Sequence, residues 1–227
     1  MQEFWNAIAD QYGKAQDLEQ IQREYLAYFL KDKKGEFLEL ACGNGQTIMT
    51  VTKYNPNLNI TGIDYNQAMI ERAKSLFPDY HFEHVDVFNF IVNKTYDYVV
   101  CLNSMHNFPS KEMIFSFLQK AKDFVAPGGF FIFDIRNYYN PFIRYGYWKN
   151  RKRGLDFFTL KARKVIKQLE SDFDLIECKG IAYQSLKEAG YDTKPFWLRL
   201  IYRGYLFLTQ IRFFAPYQFI ILQKKDV

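Results

Sequence analysis

Blocks of hydrophobic residues alternate along the chain with amphipathic stretches, and this pattern predicts strands separated by helices. Runs rich in β-branched and aromatic residues, bounded by turn residues, predict strands at 37–41, 59–63, 80–85, 96–102 and 129–135. Apolar residues at helical spacing predict helices at 46–54, 66–76 and 110–125, the last ended by Pro127-Gly128-Gly129. Repeated strand–helix–strand units favour an α/β fold in which a parallel sheet carries helices on both faces.

Length and composition favour one domain in a reducing compartment. The 227 residues, of which 48% are hydrophobic, can bury one sizeable core. The three cysteines, Cys42, Cys101 and Cys178, are far apart and have no histidine at ligand spacing, so we expect neither disulfides nor a metal site. The chain shows no leader peptide and no run of about 18 apolar residues, so we expect a cytoplasmic protein, although a peripheral membrane contact stays open.

Charge is distributed unevenly between the two parts of the chain. Residues 1–140 contain 13 Lys and Arg against 17 Asp and Glu, a balance of −4, whereas residues 141–227 contain 17 against 8, a balance of +9; the sum is the net +5. The basic part is therefore the better candidate to meet an anion, unless its lysines form only a solvated surface.

A glycine turn follows the first predicted strand, in the sequence Gly43-Asn44-Gly45. Glycines let the backbone approach a ligand closely, and in a parallel sheet ligands bind outside the carboxyl ends of the strands. A dinucleotide fingerprint would need a third glycine where Ile48 stands. Asp64, about 20 residues on, is suited to a ribose, and Asp86 ends the third strand, so three strand ends offer groups suited to a nucleoside.

Five segments occur in a characteristic order and spacing. They are Glu39-Leu40-Ala41-Cys42-Gly43-Asn44-Gly45, Gly62-Ile63-Asp64-Tyr65, Val85-Asp86-Val87, Tyr96-Asp97-Tyr98 through Asn103, and Val125-Ala126-Pro127-Gly128-Gly129. From Phe4 to about Asn137 the chain thereby resembles the class I S-adenosylmethionine-dependent methyltransferases of the small-molecule type. Ala41 departs from the many members that have glycine there. The resemblance implies a Rossmann-like, seven-stranded, mostly parallel sheet with aromatic and basic insertions after strand 5 and between strands 6 and 7.

The resemblance also implies a cofactor, S-adenosyl-L-methionine, with S-adenosyl-L-homocysteine as the product. The residues that it places on this cofactor are Tyr12, Glu39, Ala41, Gly43, Gly45, Asp64, Tyr65, Met69, Asp86, Val87 and Asn103. Within this set the glycine turn would contact the methionine part, Asp64 the ribose, Asp86 with Val87 the adenine, and Asn103 the region beside the sulfonium. Tyr12 would belong to an N-terminal element that folds over the cofactor.

Two of these assignments have a structural alternative. Asp64 could cap the helix that begins near Asn66, and Met69 could belong to the core instead of packing with Tyr65 on the adenosine.

Methyl transfer itself mainly requires alignment of nucleophile, methyl carbon and sulfur. A general base is needed only if the accepting atom is protonated, and His106, just past the fourth strand, is the histidine placed to act as one. Its alternative role is that of a polar loop residue.

The loop after the fourth strand also bears on the substrate. Asn103-Ser104-Met105-His106 lacks the prolines found in related enzymes that methylate amino groups of nucleic-acid bases, and no RNA-binding module is recognisable. We therefore expect a small-molecule acceptor and regard nucleic acid as the less favoured substrate. The accepting atom, O or N, is left open.

Substrate identity is expected beyond Asn137. Tyr138, Tyr139 and Arg144 are the predicted substrate-binding residues, and 144–153 combines arginines and lysines with aromatic residues, as a lid over an anionic or ring-containing substrate would. An exposed basic loop is the alternative. A helix at 157–170 and strands at 173–182 and 216–224 complete the pattern.

The segment 195–216 is rich in aromatic and aliphatic residues with interspersed arginines. Three interpretations remain open: a helix at a membrane interface, a helix beside an apolar pocket, and a helix packed on the sheet or against a second subunit in a homodimer.

The expected organisation is a single methyltransferase domain over 1–227. It would comprise an N-terminal helical lid (1–36), a cofactor-binding core (37–137) and a substrate-determining part (138–227). The predicted function is methyl transfer to O or N of a small, anionic or lipid- or sugar-linked metabolite. The alternative is a cofactor-binding partner or regulatory subunit without turnover.

Overall fold

The computed structural model describes residues 18–91, 93–152, 154–183 and 191–226. Its strands are β1 (Gly35–Leu40), β2 (Leu58–Asp64), β3 (His81–His84), β4 (Tyr96–Cys101), β5 (Val125–Arg136), β6 (Phe173–Ile181) and β7 (Tyr217–Lys224). Its α-helices are α1 (Leu18–Leu30), α2 (Gln46–Tyr54), α3 (Gln67–Leu76), α4 (Lys111–Ala121), α5 (Pro141–Arg151), α6 (Ala162–Leu169) and α7 (Phe196–Gln210). Short 3-10 turns follow β4, α4 and α7.

The strands form one sheet in the order β3-β2-β1-β4-β5-β7-β6. The first five are parallel, whereas β7 is antiparallel to both β5 and β6. The strand order therefore reverses between β1 and β4: β2 and β3 lie on one side of β1, whereas β4 and β5 lie on the other. Ligands of α/β folds bind at such a reversal. The predicted Rossmann-like, seven-stranded, mostly parallel sheet is confirmed.

Each face of the sheet buries its own hydrophobic cluster. On one face, Leu26 of α1, Val51 of α2 and Ile70 of α3 pack with the sheet. On the other face, Phe117 of α4 and Val165 of α6 do so. Helices thus cover both faces, which explains why β1 and β4 read as nearly continuous apolar runs.

Polar side chains begin three of these helices. Asn66, Ser110 and Asn140 each accept a hydrogen bond from the backbone N–H three residues on, at Met69, Met113 and Ile143. These bonds satisfy amides that have no partner inside the helix. Asn66 and Ser110 are the first residues of two segments predicted to be helical, 66–76 and 110–125.

Several predicted boundaries are wrong. The helix expected to reach residue 125 ends at Ala121, followed by a 3-10 turn, so that Pro127-Gly128-Gly129 lies inside β5 and does not end a helix. The segment 144–153, for which an exposed loop was one prediction, is mostly helical in α5 because Asn140 and Pro141 start a helix there; its role as a lid stays a prediction. The helix expected at 157–170 shortens to α6, since Leu160 forms a bridge with Asn137.

Among the described residues, no helix is both long enough and apolar enough to cross a bilayer.

Candidate functional site

A cavity of about 710 Å³ opens at the carboxyl ends of β1, β2 and β4. It lies where the strand order reverses, and both its position and its size suit a cofactor. Nine of the residues predicted to bind the cofactor line it: Glu39, Ala41, Gly43, Asp64, Tyr65, Met69, Asp86, Val87 and Asn103.

The other predicted site residues lie elsewhere. Gly45 does not line the cavity. A Cβ at this position would lie 2.9 Å from the ring of Phe77, so the close packing there requires glycine. His106, Tyr138, Tyr139 and Arg144 do not line the cavity. Tyr12 lies outside the described residues.

The turn after β1 has left-handed backbone at three residues. Ala41, Gly43 and Gly45 have φ angles of 56°, 54° and 84°. A Cβ on Gly43 would meet no atom within 4 Å, so its backbone faces open space that a ligand can enter. The turn is held to the neighbouring strand because Gly43 N–H donates to Asp64 Oδ2 at 2.9 Å.

Ala41 carries the strain of this turn without the freedom of glycine. A left-handed residue with a Cβ costs about 1–2 kcal/mol, and the extra unfolded-state entropy of glycine offsets about 0.4–1 kcal/mol of that. Ala41→Gly should therefore raise the free energy of unfolding by about 0.5–1 kcal/mol, measured by urea denaturation. Ala73→Gly, within α3, should instead lower it, by about 1 kcal/mol or more. A less stable Ala41→Gly protein would contradict this account.

Asp64 organises the end of β2. Besides the bond from Gly43, its Oδ1 accepts from Asn66 N–H at 2.8 Å, while Asn66 itself caps α3. The carboxylate is 7% exposed, and burial raises its pKa, which the two backbone bonds counteract. Each oxygen has a further lone pair, so Asp64 can both brace the turn and accept from a ligand hydroxyl.

Glu39 is a buried acid with an unused oxygen. The residue is 2% exposed, and within the described structure its Oε2 has no hydrogen-bond partner. Burial raises the pKa of Glu39 to about 8, and Asp64 adds to the rise, whereas a hydrogen bond with Thr47 and the charge of Arg23 oppose it. An orphaned acceptor in such a position is a candidate contact for a cationic ligand group.

Arg23 is a cavity residue that sequence reasoning missed. It is 2% exposed on α1, its Nη2 donates to Glu19 at 3.2 Å, and it lines the cavity near Glu39. The sequence did indicate it, because Arg23 shares the apolar face of α1 with Ala27 and Leu30. Charged residues on such a face are rarely buried unless they are paired. An acid and a guanidinium at one end of the cavity match the two charges of an amino acid.

A buried polar network holds the end of β4. Asn103, with φ 58°, donates its backbone N–H to Asp134 Oδ1 at 2.5 Å and accepts from Arg136 Nη1 at 3.2 Å. Arg136 also bonds Asp134 at 2.7 Å and pairs with Glu19 of α1 at 3.6 Å. The left-handed Asn103 is thereby fixed at the cavity. Asp134 and Arg136 were not predicted; both lie inside an apolar strand, where charged residues are unusual.

The other end of the cavity is less polar. Asp86 is exposed and its carboxylate accepts from Phe88 N–H at 2.9 Å, whereas Val87 and Met69 contribute apolar surface. Tyr65 is 42% exposed at the rim. One carboxylate beside aliphatic and aromatic side chains suits a flat heterocycle with an amino group.

A second, smaller cavity has a volume of about 390 Å³. The two cavities have no lining residue in common, but neighbouring residues of the same segments line them: Pro109 and Met113 line the large cavity, whereas 110–112 lines the small one. We call the small cavity the basic groove; it is lined by Ser110, Lys111, Glu112, Arg144, Tyr147, Trp148, Arg151, Phe157, Phe158 and Thr159. Arg144 thus lies in the groove, and its guanidinium is 4.7 Å from the ring of Tyr138.

His106 lies against the aromatic residues of the basic groove. Its ring is 6.4 Å from that of Tyr147 and 5.9 Å from that of Phe157, and its carbonyl accepts from Phe158 N–H. Burial, with a smaller contribution from Arg136, lowers the pKa of His106 well below its ordinary value. The imidazole is therefore neutral at physiological pH and a weak base.

Residues 38–131 match the family model described as a methyltransferase domain. Among curated relatives, the uncharacterized protein MJ0906 of Methanocaldococcus jannaschii is 27% identical over 113 residues, which is 47% of this chain and 30% of that protein. Trans-aconitate 2-methyltransferase of Enterobacter sp. (strain 638) is 36% identical over 67 residues, 30% of this chain and 27% of that enzyme. The matches thus span about a third of these relatives or less.

Similar folds occur among solved structures. The N-methyltransferase NodS of Bradyrhizobium japonicum WM9, in complex with S-adenosyl-l-homocysteine, superposes with a TM-score of 0.66 over 98% of this chain and 96% of that one. Sequence identity is 16%, so the likeness concerns the fold alone.

Proposed function

We propose, from the premise that the chain carries a methyltransferase domain of the class I S-adenosylmethionine-dependent family, that it transfers a methyl group to O or N of a small anionic acceptor. The observation that carries this proposal is that two cavities are lined by neighbouring residues of the same segments, 107–113 and 154–159. One is suited to the cofactor, and the basic groove beside it is suited to an acceptor. The trans-aconitate methyltransferases among the relatives, whose name specifies an acidic substrate, lend further support.

The lining of the large cavity supports binding of S-adenosylmethionine. We assign its ammonium to the unpartnered Oε2 of Glu39, its carboxylate to Arg23, its ribose hydroxyls to Asp64 and its adenine to Asp86 and Val87. When bound, the cofactor supplies a methyl group activated by the sulfonium charge. The chain's own contribution is to hold the acceptor in line with that methyl group, and positioning of this kind supplies about 7–11 kcal/mol of barrier reduction.

Glu39 makes cofactor binding release a proton. Its carboxyl has a pKa of about 8, which Arg23 lowers and Asp64 raises, and is therefore mostly protonated at pH 7. A bound ammonium favours the ionised form. Calorimetry with S-adenosylhomocysteine at pH 7, in buffers of different ionisation enthalpy, should show close to one more proton released by wild type than by Glu39→Gln. Glu36→Gln, at the other end of β1, is the matched control and should behave as wild type. Equal proton release by all three proteins would contradict the proposed contact between Glu39 and the ammonium of the cofactor.

We place the acceptor between the two cavities. There Asn103 and Ser104 line the cofactor side, and Arg144 with Lys111 can bind a carboxylate or phosphate on the other side. An acceptor already ionised at neutral pH needs no general base. The weak basicity of His106 suits such an acceptor, so we assign His106 to holding Tyr147 and Phe157 at the groove.

The low pKa of His106 can be measured through stability. A histidine whose pKa is depressed in the folded state favours the folded protein fully above the unfolded pKa of about 6.5; that stability is lost as pH falls below this value. The free energy of unfolding of wild type should therefore decline below pH 6.5 more steeply than that of His106→Gln. Above pH 7.5 the difference between them should be constant. Parallel curves throughout would contradict the low pKa.

Turnover tests the proposal as a whole. Purified protein should consume labelled S-adenosylmethionine when given a panel of small di- and tricarboxylates and phosphorylated metabolites, and Arg144→Met should raise KM by roughly tenfold or more, as for a lost charged hydrogen bond. Lys149→Met, also on α5 but not lining the groove, is the control. Tight cofactor binding without methylation of any acceptor would instead favour the binding partner without turnover. Turnover of His106→Ala within a few-fold of wild type across pH would exclude His106 as a general base.

A further inference from the structure

The outer side of α7 is apolar where surface helices are normally polar. Six large hydrophobic side chains on this helix are between 46% and 73% exposed: Phe196, Trp197, Leu200, Ile201, Phe207 and Leu208. Their spacing, with pairs at intervals of four and seven residues, places them along one stripe of the helix. Exposed apolar stripes of this length mark interaction sites.

The opposite side of α7 attaches the helix to the domain. Leu206 and Thr209 are buried, the ring of Tyr202 stacks on that of Tyr191 at 3.4 Å, and Gln210 Nε2 donates to the Tyr183 carbonyl. The helix is therefore attached through Leu206 and several hydroxyl-bearing and polar residues, whereas most of its large apolar residues face outward. This is the reverse of the usual arrangement of an amphipathic helix on a protein core.

Helix α5 extends the same surface. Phe142, Tyr145 and Trp148, at intervals of three residues, are 52%, 62% and 53% exposed. The two helices meet where the rings of Phe142 and Tyr205 lie 4.4 Å apart. We call the exposed apolar residues of α5 and α7 together the aromatic face.

Charge around the aromatic face is mainly positive. The sequence contains no Asp or Glu between Asp134 and Asp156, or between Asp192 and Asp226. Within these stretches the basic residues on or beside α5 and α7 include Arg144, Lys149, Arg151, Lys152, Lys194, Arg199 and Arg203, of which Arg151 pairs with Asp156. A surface of this kind attracts an anionic partner and repels a second copy of itself.

We propose that the aromatic face binds the surface of an anionic lipid bilayer. Helices that lie in a membrane interface combine large apolar side chains, which enter the headgroup boundary, with arginines and lysines that contact acidic lipids. The described helices are too short or too polar to cross the bilayer, so the contact is peripheral. A homodimer through this face would bring two mainly basic surfaces together, which is unfavourable.

The face also borders the proposed acceptor site. Trp148 belongs both to the aromatic face and to the lining of the basic groove, and Tyr147 beside it contacts His106. A membrane under the aromatic face would bring anionic headgroups to the mouth of the groove. The proposal does not depend on methyl transfer, because lipid binding needs neither cofactor nor turnover.

Vesicle co-sedimentation tests the proposal with the 227-residue protein. We expect sedimentation with vesicles of phosphatidylcholine and phosphatidylglycerol, little with phosphatidylcholine alone, and release at about 1 M salt, where the Debye length is about 3 Å. Leu200→Glu/Ile201→Glu and Arg203→Glu should each weaken binding by roughly tenfold or more. Ile91→Glu, which changes a residue 85% exposed outside the face, is the matched control and should bind as wild type.

Three results would overturn the proposal. The first is no sedimentation with acidic vesicles at low salt, and the second is sedimentation that the α7 variants leave unchanged. The third is the combination of no vesicle binding with a concentration-dependent dimer in analytical ultracentrifugation. If Leu200→Glu/Ile201→Glu abolishes that dimer, the face binds a second copy of the chain. The substituted side chains are exposed, and circular dichroism will verify that each variant folds. Methylation of soluble acceptors by a protein that ignores vesicles would leave the proposed activity intact.

Discussion

Asp64→Ala should weaken binding of S-adenosylmethionine by at least about 100-fold. A hydrogen bond to a charged group contributes about 1.5–3 kcal/mol, and the proposed ribose contact has two. The substitution also removes the acceptor of Gly43 N–H, so the glycine turn loses its tie to β2. Calorimetric titration with S-adenosylmethionine and S-adenosylhomocysteine measures the effect directly.

Asp86→Ala is the matched comparison. The Asp86 carboxylate is exposed and accepts from Phe88 N–H, so its loss should weaken cofactor binding by roughly tenfold or less. Thermal unfolding of both variants separates lost binding from lost folding, and Asp64→Asn provides a variant with less change in shape. A folded Asp64→Ala protein that binds within about threefold of wild type would contradict the assigned ribose site. Folded wild-type protein that binds neither compound would refute the cofactor itself.

Of the substitutions proposed here, Arg136→Met should lower the free energy of unfolding most, by about 3–5 kcal/mol. The guanidinium is 4% exposed, pairs with Asp134 at 2.7 Å, and lies 3.7 Å from the centre of the Tyr217 ring. Its removal leaves the Asp134 carboxylate, 2% exposed, buried without its cation. Such a loss is a large part of the total stability of a typical domain.

Urea denaturation of Arg136→Met and Arg151→Met compares two ion pairs of equal length. Arg151 Nε is also 2.7 Å from Asp156, but these side chains are 64% and 55% exposed. Exposed pairs contribute at most about 1 kcal/mol, so Arg151→Met should remain close to wild type in stability. Similar losses in the two variants would mean that burial does not set the contribution of Arg136.

The parallel part of the sheet was predictable because local pattern and fold agree there. The strands β1 and β4 are mostly apolar and are followed by turn residues, and Asn66 and Ser110 are suited to start the helices that follow them. Boundaries failed where tertiary contacts decide them. Residues 157–160 have helical spacing, yet Leu160 pairs with Asn137 as an extended segment.

The cavity was predictable where one strand end supplies one ligand group. Residues that act through distant partners were not, since Arg23 reaches the cavity from α1 and Arg136 acts by fixing Asn103. The exposure of the aromatic stripe on α7 was equally hidden. A pattern of apolar residues gives the stripe but not the side of the helix that the domain covers.

The position of β7 has a consequence for the order of folding. Within the described residues β6 pairs only with β7, and β7 joins it to β5 through contacts such as Phe130 with Gln223, far apart in sequence. Closing so long a loop is slow, and β6 cannot join the sheet before β7 does. Hydrogen exchange should therefore show β6 and β7 opening as one unit while β1 and β4 stay protected, so that α7, which connects these two strands, belongs to the part of the molecule that assembles last.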